Sequence, residues 1–572
     1  MKDIYMDIVE KTVGAYSAKH IKEYIKSVEE EGLKEHGFPR LTANLGILIA
    51  HGKKAEFIEE FLKMMDLCIN EIPNIYKKSE SRAGNNFSVK EIVLCILELE
   101  KMQIFDKSIT DRWRAGLAEI DPYSAYYRVA SYPPAPINNW AAFSAASEQL
   151  RKYAGIGDKS FFIENQIESQ LLSFDENGMY RDPHEPIVYD MVTRLQLAVA
   201  LHFGFEGECA KRLEEHLEKS ADLTLKMQSV TGEIPFGGRS NQFLHNETFY
   251  AALCEFYAAF FKKRGDLKKA GMFKRAARLA VDSILPWLKE NPVPHIKNYY
   301  PTDSMYGCES YAYYDKYMVT TASWAYLAYV MADDSIEEVS CPCENENYIC
   351  KTSEHFHKVF LKYGDYFVEY DTKADERYDA SGIGRIHKKG APSAICLSVP
   401  FPPEDSNYSV DTENPSPFAL CGGIKTEKGS VNGYNNSVKY TLIGEEVTDS
   451  FVRAIFRCEE NSIEFTQTCT VSAEGVEVAV QGEGEALIHF PLFDNDGKNI
   501  TEKSIDKKYA TVTYNGFSCK YETNGIITDE DKIYANRNGH CRAYTAIGKN
   551  SVTLKIQIEK CEDILINEDT KE

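Results

Sequence analysis

Phe236-Gly-Gly-Arg-Ser-Asn-Gln-Phe-Leu-His-Asn-Glu-Thr-Phe249 sets Arg239, Ser240, Asn241, Gln242, His245, Asn246 and Glu247 directly ahead of the apolar run 251–261. Within 247–263, Phe249, Leu253, Phe256 and Phe260 recur at intervals of three and four, the period of a helix. The run is apolar nearly all round, so such a helix must be buried on both sides. Gly237 and Gly238 let the backbone turn tightly or approach a ligand. A helix start also presents unpaired N–H groups at the positive end of the dipole. Capping uses one or two polar side chains, so a cluster this dense points to a binding site for an anionic or hydroxyl-rich ligand.

Similar apolar helices begin near Asn139, Tyr189 and Tyr317, at spacings of roughly fifty to seventy residues, the rhythm of repeated helical hairpins. Each is announced by polar or aromatic residues: Ile137-Asn-Asn-Trp140, Val188-Tyr-Asp-Met-Val-Thr-Arg194 and Glu309-Ser-Tyr-Ala-Tyr-Tyr-Asp315. Further helices are predicted over 55–67, 89–101, 209–227 and 267–289. Helices buried on both sides pack most economically as an inner ring wrapped by amphipathic outer ones. That is an α/α toroid, with the inner N-termini converging on one mouth. In an open solenoid the same residues would be caps that never meet.

From about Tyr348 the period becomes two. Strands are predicted over 365–370, 437–442, 462–467, 476–480, 510–514 and 551–558, between Gly, Asn and Asp turns. Many short strands without intervening helices imply an antiparallel β-sandwich. The expected organisation is α+β and multidomain: a helical toroid over 1–335, an acidic linker over 336–347 and a β-sandwich over 348–572.

The chain has 572 residues and a net charge of -22, which argues against nucleic acid or an anionic membrane as partner. An acidic substrate needs only a local basic pocket. The N-terminus has no secretory h-region and no run approaches the ~18 apolar residues of a membrane helix, so a cytoplasmic location is expected. Fifteen cysteines, an odd number without framework spacing, read as reduced buried thiols. Cys341, Cys343 and Cys350 lack a fourth ligand at a customary spacing, and His355 and His357 lack a third. No metal and no cofactor is assigned, and no oligomeric state is indicated. The 35 Tyr and 29 Phe, clustered over 123–136 and 299–317, would serve as sugar platforms or as toroid core. Trp140 and Trp324 lie inside apolar helices, a core position, although Trp140 also stands beside Asn139 at a helix start. The acidic C-terminal tail is expected to be disordered.

A helical toroid followed by an antiparallel β domain resembles the heparinase, alginate and chondroitin lyase superfamily, and is similar to glycoside hydrolase family 154. The likeness spans nearly the whole chain as an architecture. Asn138-Asn139-Trp140 resembles the Asn-Trp element of an inner toroid helix, and Gly237-Gly238-Arg239-Ser240 a Gly-Arg-Ser element ahead of a catalytic-face helix. Gly384-Arg-Ile-His-Lys-Lys-Gly390 is similar to a β-domain loop that closes over the cleft. The resemblance implies an enzyme acting on uronate-containing glycans, and carries over Asn139, Arg239 and His245.

Eliminative cleavage of a uronate needs groups that neutralise the carboxylate and stabilise the developing enolate, a base for the C5 proton and an acid for the leaving oxygen. Asn139, His245, Tyr306, Asp190 and Glu247 are the candidate catalytic residues. Arg239, Asn241, Arg194, Tyr189, Tyr311, Trp140, Arg385 and His387 are the candidate substrate contacts. Eleven tyrosines between Tyr123 and Tyr314, Tyr127 among them, leave the acid unassigned. Hydrolysis would use two carboxyl groups about 5–9 Å apart, drawn from Asp182 and Asp190 with Glu247 or Glu309 opposite. Asp190 and Arg194 also fit an i,i+4 helix pair, worth about 0.3–0.5 kcal/mol if exposed. Asp182 before Pro183 also fits a turn. A non-catalytic glycan-binding protein is the third expectation.

Overall fold

The computed structural model describes residues 1–77, 87–126, 139–402, 406–411 and 416–561. Residues 127–138, which hold Tyr127, Asn138 and most of the aromatic stretch 123–136, and the acidic tail 562–572 lie outside them.

The helical half runs α1 (Lys2–Gly14), α2 (Ala18–Glu31), α3 (Gly37–Ala50), α4 (Ile58–Glu71), α5 (Val89–Lys101), α6 (Lys107–Ala118), α7 (Pro122–Ala125), α8 (Trp140–Tyr153), α9 (Ser160–Leu171), α10 (Ile187–His202), α11 (Ala210–Lys226), α12 (His245–Lys263), α13 (Leu267–Ile284) and α14 (Tyr314–Met331), with the short α15 (Pro342–Asn345) in the connector. Six of them form a ring: α3 packs on α5, α5 on α8, α8 on α10, α10 on α12, α12 on α14, and α14 back on α3. The last contact closes a toroid and excludes the open solenoid. Burial follows position. All of α3 is buried, whereas the outer α2 buries only Ile21, Ile25 and Val28, one stripe at helical spacing.

The sequence shows four inner helices; the described residues contain six. The sequence predicts a helix at α5 without placing it in the ring, and it predicts none at α3. Gly46 stands in the middle of α3 with β-branched Ile47 and Ile49 beside it, poor signals for a helix. Packing overrides that propensity. A Cβ on Gly46 would meet Phe61 at 2.4 Å and Cys95 Sγ at 2.5 Å, so the missing side chain is what lets α4 and α5 seat against α3.

The β half contains two antiparallel sheets. Strands β1 (Tyr348–Lys351), β2 (Lys358–Tyr363), β3 (Tyr366–Asp371) and β4 (Gly382–Lys388) form the smaller in sequential order. The larger comprises β5 (Cys421–Thr426), β6 (Gly429–Asn432), β7 (Lys439–Val447), β8 (Phe451–Glu460), β9 (Ile463–Ser472), β10 (Gly475–Asn495), β11 (Glu502–Ile505), β12 (Tyr509–Tyr514), β13 (Phe517–Thr523), β14 (Ile526–Asn536) and β15 (Gly539–Lys560). The long β10 and β15 pair at its centre.

The smaller sheet positions the site, because its period-two alternation buries both faces. Val359, Leu361, Val368, Tyr370, Ile383 and Ile386 enter the sandwich core. Lys358, Glu369, Asp371, Arg385 and His387 point the other way, yet each is at most 3% exposed. They meet the toroid segment 229–238: His387 Nδ1 lies 2.8 Å from Ser229 Oγ, Arg385 donates to the Ile234 carbonyl at 2.6 Å, and the Phe236 N–H donates to Glu369 at 3.2 Å. Arg385 and His387 are therefore strand residues in an interdomain seam. The reading of 384–390 as a loop over the cleft is corrected: strand pairing with β3 fixes these residues, and both side chains are buried in the seam.

Candidate functional site

All six inner helices send their starts to one cavity of about 90 Å³. His36 immediately precedes α3 and Arg40 lies in it, Phe87 precedes α5, Asn139 immediately precedes α8 and Phe143 lies in it, and Val188, Tyr189 and Val192 come from α10. Ser240, His245 and Phe249 belong to α12 and its approach, and Tyr317, Thr320 and Trp324 to α14. The inner helices are thus parallel, and the positive ends of their dipoles point at a common volume. That volume admits a small polar group such as a carboxylate.

The side chains add to the positive field. Arg40 donates to Thr320 Oγ1 at 2.9 Å, has Nη1 3.0 Å from His36 Nδ1, and lies 3.4 Å from Glu91. Lys90 donates to Glu91 at 2.9 Å and sits 4.7 Å from the Phe143 ring centre. Arg40, Lys90 and the nearby Lys316 against Glu91 and Glu35 leave one positive charge in excess beneath a protein that is strongly acidic overall. Burial, then Arg40 and His295, push His245 down to about 3, and burial with Arg40 and Lys316 pushes His36 well down. Both imidazoles are neutral at ordinary pH. Nδ1 of His245 has no hydrogen-bond partner among the described residues. Its ring lies between Phe243, 5.5 Å away and stacked, and Tyr317, 4.9 Å away and edge-on.

The approach to α12 is contorted. Gly237 and Gly238 have φ of 138° and 75°, and Ser240 and Gln242 adopt left-handed φ of 57° and 69°, a conformation that costs about 1–3 kcal/mol for a residue with a side chain. Surrounding bonds hold it. The Ser240 N–H donates to Glu309 at 2.6 Å and the Gly238 N–H to Asp379 at 2.6 Å, and Asn246 Nδ2 donates to the Ser240 carbonyl at 3.1 Å. The strain places the Ser240 hydroxyl among three phenols, those of Tyr189 (3.2 Å), Tyr311 (3.2 Å) and Tyr317 (3.1 Å). Arg239 covers the Tyr189 ring at 4.0 Å and pairs with Asp182, whose other oxygen accepts the Asn139 N–H at 2.8 Å.

The structure therefore brings Asn139, Tyr189 and His245 round one cavity, with Arg239 and Tyr311 at its edge and Trp140 half-buried against Phe87 beside it. Other candidates are elsewhere. Asp190 and Arg194 are fully buried in the toroid wall, joined by two hydrogen bonds of 2.8 and 2.6 Å, with Arg194 also donating to Thr224 and Tyr257. They are corrected to a wall pair, because all their bonding capacity is turned away from the cavity. Glu247 is also corrected: it faces Lys297, at 2.6 Å, behind the loop. Tyr306 stacks on Tyr300 at 3.7 Å on the β side, where Tyr300 reaches Asn495 and His540, and is removed from the cavity. Asn241 is buried and braces the loop by donating to the Pro235 carbonyl at 3.1 Å. His355 is at the surface near Glu185, whereas His357 pairs with Asp371 at 2.5 Å, so the two do not share a site.

Sequence reading missed His36, Arg40, Ser240, Tyr317 and Trp324 as cavity residues. The unread α3 explains the first two. Trp324, expected in the core, is both 2% exposed and part of the cavity wall. Ser240 was visible in the opening cluster, but its role depends on three phenols that only the closed ring assembles.

Asp379, from the β half, holds the loop at Gly238, and burial outweighs Lys358 to raise its carboxyl to about 7. A raised folded-state pKa gives stability that is present at low pH and lost as pH rises from about 4 through 7. Asp379→Asn removes this dependence while retaining an acceptor for Gly238. Its stability relative to the parent is expected to grow over that interval, by an amount on the order of 4 kcal/mol at most, in urea melts at stepped pH.

Among the described residues no helix is long and apolar enough to cross a membrane. No family model matches the chain, and no curated protein matches it. Among solved structures the chain is similar to a heparinase III at 9% identity, over 88% of this chain and 78% of that one, with a TM-score of 0.32. It is similar to a glycosyl hydrolase family 88 protein from Bacteroides vulgatus at 9% identity, over 58% of this chain and 99% of that one, with a TM-score of 0.39. A chondroitinase AC lyase matches at 10% identity over 98% of this chain and 83% of that one, with a TM-score of 0.38. All three scores are low, and the chemistry of the site is read from its own residues.

Proposed function

We propose that the protein is a carbohydrate-active enzyme that cleaves a uronate-containing oligosaccharide by β-elimination at the toroid mouth. The observation that carries this reading is the composition of the cavity wall. Among the described residues it holds Arg, His, Asn and Tyr but no Asp or Glu. Hydrolysis by the usual route needs a pair of carboxyl groups across the bond. Elimination needs cations and amides for the uronate carboxylate, a neutral base and a phenol, and all of these are present.

In this reading the substrate carboxylate enters the small cavity, where Asn139, Arg40 and the helix N-termini neutralise it and so acidify C5. His245, neutral because buried among cations, takes the C5 proton. Tyr189 is the phenol of the Ser240 trio that is both half-buried and part of the cavity wall, and it protonates the leaving oxygen. Arg239 over its ring orients it.

The test is an ultraviolet assay for unsaturated uronate on a panel of uronate oligosaccharides, run beside a reducing-end assay. A new chromophore is the expected result, and chain cleavage without one would mean hydrolysis and overturn the reading. Tyr189→Phe is expected to lower turnover about 10²-fold with an unchanged circular dichroism melt, since only the hydroxyl is removed.

A further inference from the structure

A second cavity, of about 380 Å³, lies on the other side of the loop that carries Ser240. Ser240 and His245 border the first cavity and Gln242 the second, so the left-handed turn between them is a shared wall. Its lining comes from both halves of the chain, including Glu233, Trp287, Lys297 and Tyr299 from the helical side and Asn538 from the β side.

Trp287 and Tyr299 are half-buried and pack against each other, with ring centres 4.8 Å apart and planes inclined by 33°, and Lys498 Nζ lies 5.1 Å from the Tyr299 ring centre, so Trp287 is the ring that offers the cavity an apolar surface. The polar lining is buried. Lys297 lies 3.3 Å from Glu233, and Asn538 Nδ2 donates to the Lys297 carbonyl at 3.0 Å and to Gln242 Oε1 at 3.3 Å. Asn538 Oδ1 has no partner among the described residues, a buried acceptor that calls for a donor. The one lysine of the lining, Lys297, is held between Glu233 and Glu247, so it is already paired and not free for an anionic ligand.

We propose that this cavity is a second and separate binding site, for a neutral polyhydroxylated ring of monosaccharide size. The ring's apolar face lies on Trp287, which Tyr299 supports from behind, and its hydroxyls exchange hydrogen bonds with Glu233, Gln242 and Asn538. The volume is within the range of small-ligand pockets, about 300–1,000 Å³. None of this depends on the chemistry assigned to the first cavity.

Calorimetric titration of the full chain with glucose, galactose and N-acetylglucosamine tests it. Saturable binding of at least one of them is expected, without displacement by glucuronate. Trp287→Ala is expected to weaken binding about tenfold or more, with Trp287→Phe retaining most of it and His245→Gln leaving it unchanged. If Trp287→Ala does not fold, Tyr299→Ala carries the same expectation. Absence of saturable binding by all three sugars, displacement by glucuronate, or loss of binding in His245→Gln with retention in Trp287→Ala would each overturn the proposal.

Discussion

His245→Gln is expected to lower the rate of uronate elimination by about 10²–10⁴-fold, the range of a positioned general base, and to leave the fold intact. Glutamine nearly keeps the volume between Phe243 and Tyr317, whereas His245→Ala would also cost packing there. The same variant carries a stability signature. Burial, Arg40 and His295 hold the folded-state value at about 3, below the ordinary value of 6.5, so the unfolded chain takes up the proton first. The stability tied to the neutral imidazole is complete above about pH 6.5 and is lost as the pH falls toward 3. Relative to the parent, His245→Gln is therefore expected to become more stable on acidification, by about 2 kcal/mol at pH 5, in paired urea melts. Full turnover in His245→Gln would remove the base from the mechanism.

Arg537→Met is expected to destabilise the protein by about 3–5 kcal/mol, because it leaves Glu309 buried without its cation. Both side chains are at most 2% exposed, and the guanidinium meets the carboxylate at 2.7 and 3.1 Å. Glu309 also accepts the Ser240 N–H, so the β half reaches the strained loop through this pair. Denaturant melts should show the loss, and Arg537→Met with Glu309→Gln should recover most of it. Turnover should fall in the single variant even where the protein is still folded, since the three phenols lose a fixed Ser240. A single variant as active and as stable as the parent would show that the seam does not hold the loop.

The helical half, the β half and the change of period near Tyr348 are legible because they rest on local spacing: three and four along 247–263, two along 366–371. The toroid was inferred from helices that are apolar all round, and the contact of α14 with α3 closes it. Where spacing misled, tertiary context had changed its meaning. Lys358, Glu369, Asp371, Arg385 and His387 alternate with apolar residues as a solvent face would, but the toroid covers them. Asp190 and Arg194 have the spacing of a surface pair, worth a few tenths of a kcal/mol, and are instead sealed in the wall.

The amino-acid order by itself determined the change from helix to strand near Tyr348 and that polar clusters stand at the heads of several buried helices, since both follow from neighbours a few residues apart. Only the tertiary structure decided which heads meet. His36 and His245 lie more than two hundred positions apart, and Ser240 finds its three phenols only after the ring has closed and Glu309 and Asp379 have bent the loop. Charge balance within a cavity is a sum over distant residues, and no local window of the chain contains it.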